Sequence, residues 1–190
     1  MDRTIGLLVA MIALVAAASA PLIFAPTVEE SIDDPIRDLN FVGSNRRPDL
    51  RAIADIRTAE VRQEGDLLVF EAELSVEVPH EVKGGYYDVA WHVDGTTEWS
   101  LTVSIGHEVV GSYVSKSTGG GRSTVTGGFP GEVLVEGRLV TISIDPAQLA
   151  DFPDAFRWKV TTRLNMGATD SRLAEVYDYA PNGRYANFRL

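Results

Sequence analysis

A two-residue period of apolar and polar side chains runs through much of this chain and restricts the folds that it can adopt. It is clearest over residues 70–78, where the apolar positions are Phe70, Ala72, Leu74, Val76 and Val78. Successive side chains of a β-strand point to opposite faces of a sheet, so this pattern predicts a half-buried strand with an acidic outer face. The same period predicts three further strands, over residues 87–93, 99–105 and 156–164.

Other β-rich segments, separated by turn residues, extend this pattern along the chain. They cover residues 53–62, 109–115, 133–135 and 138–144. The Glu136-Gly137 pair between the last two predicts a hairpin turn. About eight strands at this spacing are typical of an all-β fold, and we expect an antiparallel, jelly-roll-like β-sandwich after the N-terminal hydrophobic helix described below.

Helical character is confined to two short segments within this region. Asp145 precedes Pro146 and is placed to cap a short helix over residues 146–150. A second helical segment is expected over residues 170–176. The sandwich domain therefore covers residues 49–190, with very little helix.

The N-terminus carries an uncharged apolar run over residues 5–25, which would span about 31 Å as a helix. We interpret residues 1–27 as a signal peptide or an N-terminal membrane anchor. Ala18-Ser19-Ala20 offers a cleavage site, whereas Pro21 disfavours cleavage directly before it. Either alternative predicts an extracytoplasmic protein, secreted or held at the membrane by this segment. Residues 28–48 are acidic and contain two prolines, and we expect them to form a linker or a loosely packed lead-in.

Composition excludes several classes of function. The formal net charge of −10 argues against general binding to nucleic acid. The absence of cysteine excludes disulfides, thiolate metal sites and a cysteine nucleophile. No Gly-x-Ser-x-Gly motif occurs, and no pair of carboxylates stands out from the surface charge. The sequence therefore does not predict an enzyme.

Aromatic residues are the first candidates for ligand contact, because flat rings stack on sugars. Trp91, Trp99 and Trp158 fall on the apolar phase of their strands, which favours the core over a binding cleft. Tyr86 and Tyr113 are better placed for contact with a ligand. The glycine-rich residues 117–128 are a further candidate, as a recognition loop at one end of the sandwich.

A metal site is a weaker hypothesis. Asp88, His92 and Asp94 share one face of a predicted strand and carry ligand atoms for a divalent cation such as calcium. Residues i and i+4 of a strand lie about 13 Å apart, so ligands from elsewhere would be required. No cofactor is therefore predicted from the residues alone.

Two charged rows suggest contact between strands. The acidic row consists of Glu71, Glu73 and Glu77, and the basic row of Arg157, Lys159 and Arg163. The acidic row would either bind calcium or remain a solvated face that pairs with the basic row on a neighbouring strand.

The order of turns and strands resembles the DOMON-like, family 9 carbohydrate-binding-like β-sandwiches of secreted bacterial and archaeal proteins. The segments that carry the resemblance include residues 64–70, 87–94, 140–146, 156–160 and 178–182. It implies a jelly-roll-like sandwich that binds sugars between exposed aromatic residues in some members. In other members Met and His bind haem, which here would pair Met166 with His92 or His107.

These observations favour an extracytoplasmic binding or accessory module with carbohydrate as its ligand. The alternative is a structural or protein-interaction module that contacts another surface protein and binds no small ligand. A haem-binding redox domain is the third alternative. If the N-terminal segment is not cleaved, the membrane is a further partner.

Overall fold

The computed structural model describes residues 29–35, 40–42, 52–95, 97–106, 110–118, 122–126, 129–165, 175–182 and 184–190. These residues form β-strands almost throughout. In chain order the strands are β1 (Glu29–Asp33), β2 (Asn40–Val42), β3 (Ile56–Glu64), β4 (Leu67–Leu74), β5 (Tyr86–Asp94), β6 (Glu98–Ile105), β7 (Val110–Thr118), β8 (Arg122–Thr126), β9 (Gly131–Glu136), β10 (Leu139–Ile144), β11 (Ala155–Asn165), β12 (Glu175–Ala180) and β13 (Ala186–Arg189).

The strands form two antiparallel sheets. The small sheet has five strands in the order β1-β3-β4-β10-β9. The large sheet has eight strands. Seven follow the order β2-β12-β11-β5-β6-β7-β8, and the eighth, β13, pairs with β11. β12 and β13 pair with successive parts of the same edge of β11. The predicted all-β sandwich is confirmed.

The inner faces of both sheets form one hydrophobic core. Phe70 of the small sheet contacts Trp91 and Phe156 of the large sheet, with ring centroids 6.4 Å apart in each pair. Trp91 and Trp158 are completely buried, as their place in the two-residue period predicted. Burying a large apolar side chain contributes about 1.5–3 kcal/mol, so these central strands anchor the fold.

Local turn and cap predictions are also confirmed. β9 and β10 form a hairpin in which Glu136 pairs with Leu139, and Gly137 takes the positive φ of 59° that the turn requires. Asp145 caps a 3₁₀ turn over Pro146–Gln148, where its Oδ1 accepts a hydrogen bond from the backbone N–H of Ala147 at 2.9 Å. These features depend on neighbouring residues alone.

The structure differs from the expected linker over residues 28–48. β1 pairs with β3 at the edge of the small sheet, and β2 pairs with β12 at the edge of the large sheet. Both strands are short and lie at sheet edges. Their backbone pairing is compatible with a sequence that has no sustained apolar period.

Two further expectations need revision. The helix expected over residues 170–176 is wrong at its end, because Glu175 and Val176 begin β12, and residues 170–174 lie outside the described part. The expected loop over residues 117–128 includes the end of β7 and all of β8, which pair with each other.

The apolar run over residues 5–25 also lies outside the described part of the chain. Within that part, no helix is long and apolar enough to cross a membrane.

Buried polar groups link the two sheets on the inner face. Asp178 of β12 is completely buried, and its Oδ2 accepts a hydrogen bond from the backbone N–H of Ile56 at 2.9 Å. The hydroxyl of Thr162 on β11 donates to the carbonyl of Ala54. Burial raises the pKa of Tyr87, and the charge of Asp178 raises it further. A buried polar group is costly without its partners, so these links favour one placement of β3 over the large sheet.

We expect the Asp178→Ala variant to lose about 2–3 kcal/mol of unfolding free energy, because it leaves the buried N–H of Ile56 without its acceptor. Asp178→Asn keeps an acceptor oxygen and should lose less. Asp66→Ala, in the exposed turn after β3, is the control and should change stability by about 0.5 kcal/mol or less. Urea denaturation measures all three. Equal stability of Asp178→Ala and Asp66→Ala would contradict the prediction.

Candidate functional site

The outer face of the large sheet contains a trough of about 500 Å³. We use the name trough for the space lined by outward side chains of β12, β11, β5, β6 and β7. Side chains alternate between the two faces of each of these strands. The strands bury their apolar residues in the core, and their remaining residues point outward and line the trough. The core and the trough are therefore opposite faces of the same sheet.

The floor of the trough is made of small side chains, and tyrosines stand at its two sides. The strand register places Thr161, Ala90 and Thr102 in one row across β11, β5 and β6. Tyr179 of β12 pairs with Thr161 at one side, and Tyr113 of β7 pairs with Thr102 at the other. Four strand spacings separate these tyrosines at the backbone, about 19 Å. The row thus forms a wide, shallow surface between two aromatic side chains.

A second row places a histidine beside a lysine. Lys159 of β11 pairs with His92 of β5, and His92 Nε2 lies 3.1 Å from the hydroxyl oxygen of Thr161. Burial lowers the pKa of His92 to about 4, and the charge of Lys159 adds to this effect. The imidazole is therefore neutral at neutral pH and has one donor and one acceptor nitrogen.

The opposite end of the trough carries charges of both signs. Asp88 Oδ1 accepts a hydrogen bond from the hydroxyl of Ser104 at 2.5 Å. Burial raises the pKa of Asp88, while the Ser104 hydrogen bond and the charge of Arg163 oppose that shift. Arg163 also forms an ion pair with Glu175 and lies over the ring of Tyr86, 5.4 Å from its centroid. This end is polar, and its cation already has carboxylate neighbours.

The structure brings several predicted site residues together on this face. Asp88, His92 and Tyr113 line the trough, and Tyr86 lies at its edge beneath Arg163. Tyr113 is 38 % exposed, the most accessible of the candidate aromatics whose side chains are described. Their common face follows from the predicted phase of β5 and β7.

The tryptophans are not available to a ligand. Trp91 and Trp158 have no exposed surface, and Trp99 is 2 % exposed. The ammonium group of Lys116 lies over the Trp99 ring, 5.0 Å from its centroid. Their burial agrees with the core position that the two-residue period favoured, and it does not support the alternative in which these three residues stack on a sugar.

The candidate metal ligands are engaged by other partners. Asp88 accepts from Ser104, His92 contacts Thr161, and Asp94 forms an ion pair with Arg157. Over the described ranges, no three His, Asp or Glu side chains are grouped closely enough to hold a metal ion. Met166 and His107, the other residues of the haem hypothesis, lie outside these ranges.

The expected pairing between the acidic and basic rows is wrong, because the two rows belong to different sheets. On the small sheet, Glu71 pairs with Arg62, and Glu73 pairs with Arg57 and Arg138. On the large sheet, the basic row has its own neighbours: Arg157 pairs with Asp94 and Arg163 with Glu175. Glu77 lies beyond the end of β4 and is exposed.

Sequence reasoning missed the tyrosines of β12. Tyr177 and Tyr179 point outward, while Val176, Asp178 and Ala180 point into the core. The two-residue period is present, but a charged residue occupies the central inward position. An interpretation of Asp178 as a buried polar residue would have predicted β12 and its outward tyrosines.

No family model, curated protein or solved structure matches this chain. The resemblance to DOMON-like and family 9 carbohydrate-binding-like sandwiches therefore stays a prediction.

The shifted pKa of His92 has a consequence for stability. The folded state holds this histidine neutral down to about pH 4, whereas its ordinary pKa is 6.5, so the unfolded chain binds more protons between these values. This group therefore lowers the unfolding free energy as the pH falls from about 6.5 to 4. We expect His92→Gln to lose less stability than the wild type between neutral and acidic pH.

Chemical denaturation at several pH values measures this difference. His80→Gln, in the exposed loop before β5, is the matched control and should follow the wild-type pH profile. Identical pH profiles for His92→Gln and the wild type would contradict the prediction.

Proposed function

We propose that this protein is an extracytoplasmic carbohydrate-binding module, and that the trough is its sugar-binding surface. The observation that carries the proposal is the row of small side chains between Tyr179 and Tyr113. Thr161, Ala90 and Thr102 leave space above the sheet for a flat ligand. The apolar run over residues 5–25 supports the extracytoplasmic part of the proposal.

The lining groups suit the chemistry of a sugar. A pyranose ring has apolar faces that stack on tyrosine and hydroxyl groups that need directed hydrogen bonds. His92 is neutral at neutral pH and has both a donor and an acceptor nitrogen. The hydroxyls of Ser100 and Thr161 lie in the same lining and can donate or accept. Stacking supplies affinity in this proposal, and the hydrogen bonds supply orientation.

The shape of the trough favours a chain of sugars over a single one. Tyrosines separated by about 19 Å at the backbone cannot both contact one ring, but both can contact a short oligosaccharide that crosses the strands. The row between them offers no bulky side chain that would interrupt such a ligand. We therefore propose a polysaccharide or oligosaccharide as the ligand.

Screening the full-length chain in mild detergent against a panel of polysaccharides by affinity electrophoresis tests the proposal. Titration calorimetry with matching oligosaccharides then gives affinities. We expect Tyr113→Ala and Tyr179→Ala each to weaken binding by about 1 kcal/mol, roughly fivefold, because each removes one stacking surface.

Leu134→Ala is the matched control. Leu134 is an exposed apolar residue of β9 on the small sheet, 50 % accessible and far from the large-sheet register rows. Its replacement should leave affinity unchanged. Absence of binding to every polysaccharide by a cooperatively folded chain would overturn the proposal and favour the structural or protein-interaction module.

A further inference from the structure

Lys159 occupies an unusual position for a surface lysine. It lies near the middle of β11 and pairs with His92 of β5, and its side chain is half-buried. On the other edge of β11 it lies between the residues that pair with β13 and those that pair with β12. Its Nζ lies 4.8 Å from the ring centroid of Tyr185 and 5.6 Å from that of Tyr179. Aromatic faces attract cations, so the two rings hold the ammonium group in a defined place at one end of the trough.

Two other cations of this face, Arg157 and Arg163, have carboxylate partners. Arg157 forms an ion pair with Asp94, and Arg163 forms one with Glu175. Across the part of the chain that the structure describes, the ion pairs do not include Lys159. Its ammonium group has three donors and lies beside the neutral His92. This end of the trough thus combines a fixed positive charge with neutral hydrogen-bonding groups.

We propose that the ligand of the trough is an anionic glycan, and that Lys159 binds its carboxylate or sulfate group. This inference rests on the proposed carbohydrate-binding function and names the class of sugar. A hydrogen bond between an ammonium group and an anion is about twice as strong as one between neutral groups. The anion would supply the opposite charge that Lys159 lacks among the described side chains.

Charge around the trough determines where the anion lies. At the far end, Asp88 and Glu175 outnumber the single cation Arg163, so a carboxylate or sulfate there would be repelled. At the near end, Lys159 and the neutral His92 face the same space. The anionic group of the glycan therefore lies over β5 and β11 near Lys159, and further sugar units extend toward Tyr113.

Matched pairs of polymers test this inference on the full-length chain in mild detergent. Polygalacturonate is compared with its methyl ester, and dextran sulfate with dextran, so that the members of each pair share a backbone and differ in whether they carry an anionic group. The first pair tests a carboxylate source and the second a sulfate source. We expect the charged member of at least one pair to bind about tenfold more tightly, and added salt to reduce that difference.

Lys159→Met and Lys159→Arg identify the residue responsible. Methionine keeps an apolar stem between the two tyrosine rings but removes the charge, so we expect the preference for the charged polymer to disappear. Arginine keeps the charge, so Lys159→Arg should retain much of the preference for the charged polymer. Lys83→Met removes an exposed cation in the loop before β5 and should leave the preference unchanged. Thermal melts of each variant verify folding.

The outcomes separate this inference from the function on which it rests. Equal binding of charged and neutral polymers would overturn the anionic inference and leave the sugar-binding proposal intact. Binding to no polymer would overturn both. A preference that survives in a folded Lys159→Met variant would overturn the assignment of Lys159. Equal affinity for single-stranded DNA, lost in the same variant, would show unspecific polyanion binding and overturn the glycan assignment.

Discussion

The pairing of β5 with β11 sets the geometry of both the core and the trough. Its register places Val160 opposite Trp91 and Lys159 opposite His92. The first pair points into the core and the second into the trough, because side chains alternate along each strand. A shift of one residue in either strand would place a polar side chain where an apolar one is now buried. The burial of Trp91 therefore helps to fix where Lys159 and His92 lie.

Much of this arrangement could be predicted from the sequence, because the central strands bury one face only. The phase of β5 placed Trp91 inward and both Asp88 and His92 outward, and the structure agrees. The phase of β7 likewise placed Tyr113 outward. Such predictions need only the apolar pattern within one strand. They do not depend on which strands are neighbours.

Which strands are neighbours in a sheet could not be predicted from these local patterns. The pairing of Glu71 with Arg62 instead of Arg157 depends on sheet membership, which is decided by contacts between distant parts of the chain. The trough is a similar case, since Tyr179 and Tyr113 flank one row only after five strands adopt their order. Local patterns could identify individual candidates such as Tyr113 but not the surface that they form together.

The edge strands of residues 29–33 and 40–42 give the fold a mechanical property. β1 is held by β3 alone within its sheet, and β2 by β12 alone, so a pulling force on the N-terminal segment would load these pairings first. β12 also carries Tyr177 and Tyr179, and Tyr177 pairs directly with Asn40 of β2. Tension that passes β1 and reaches β2 would therefore act on β12 and on its outward tyrosines at one side of the trough.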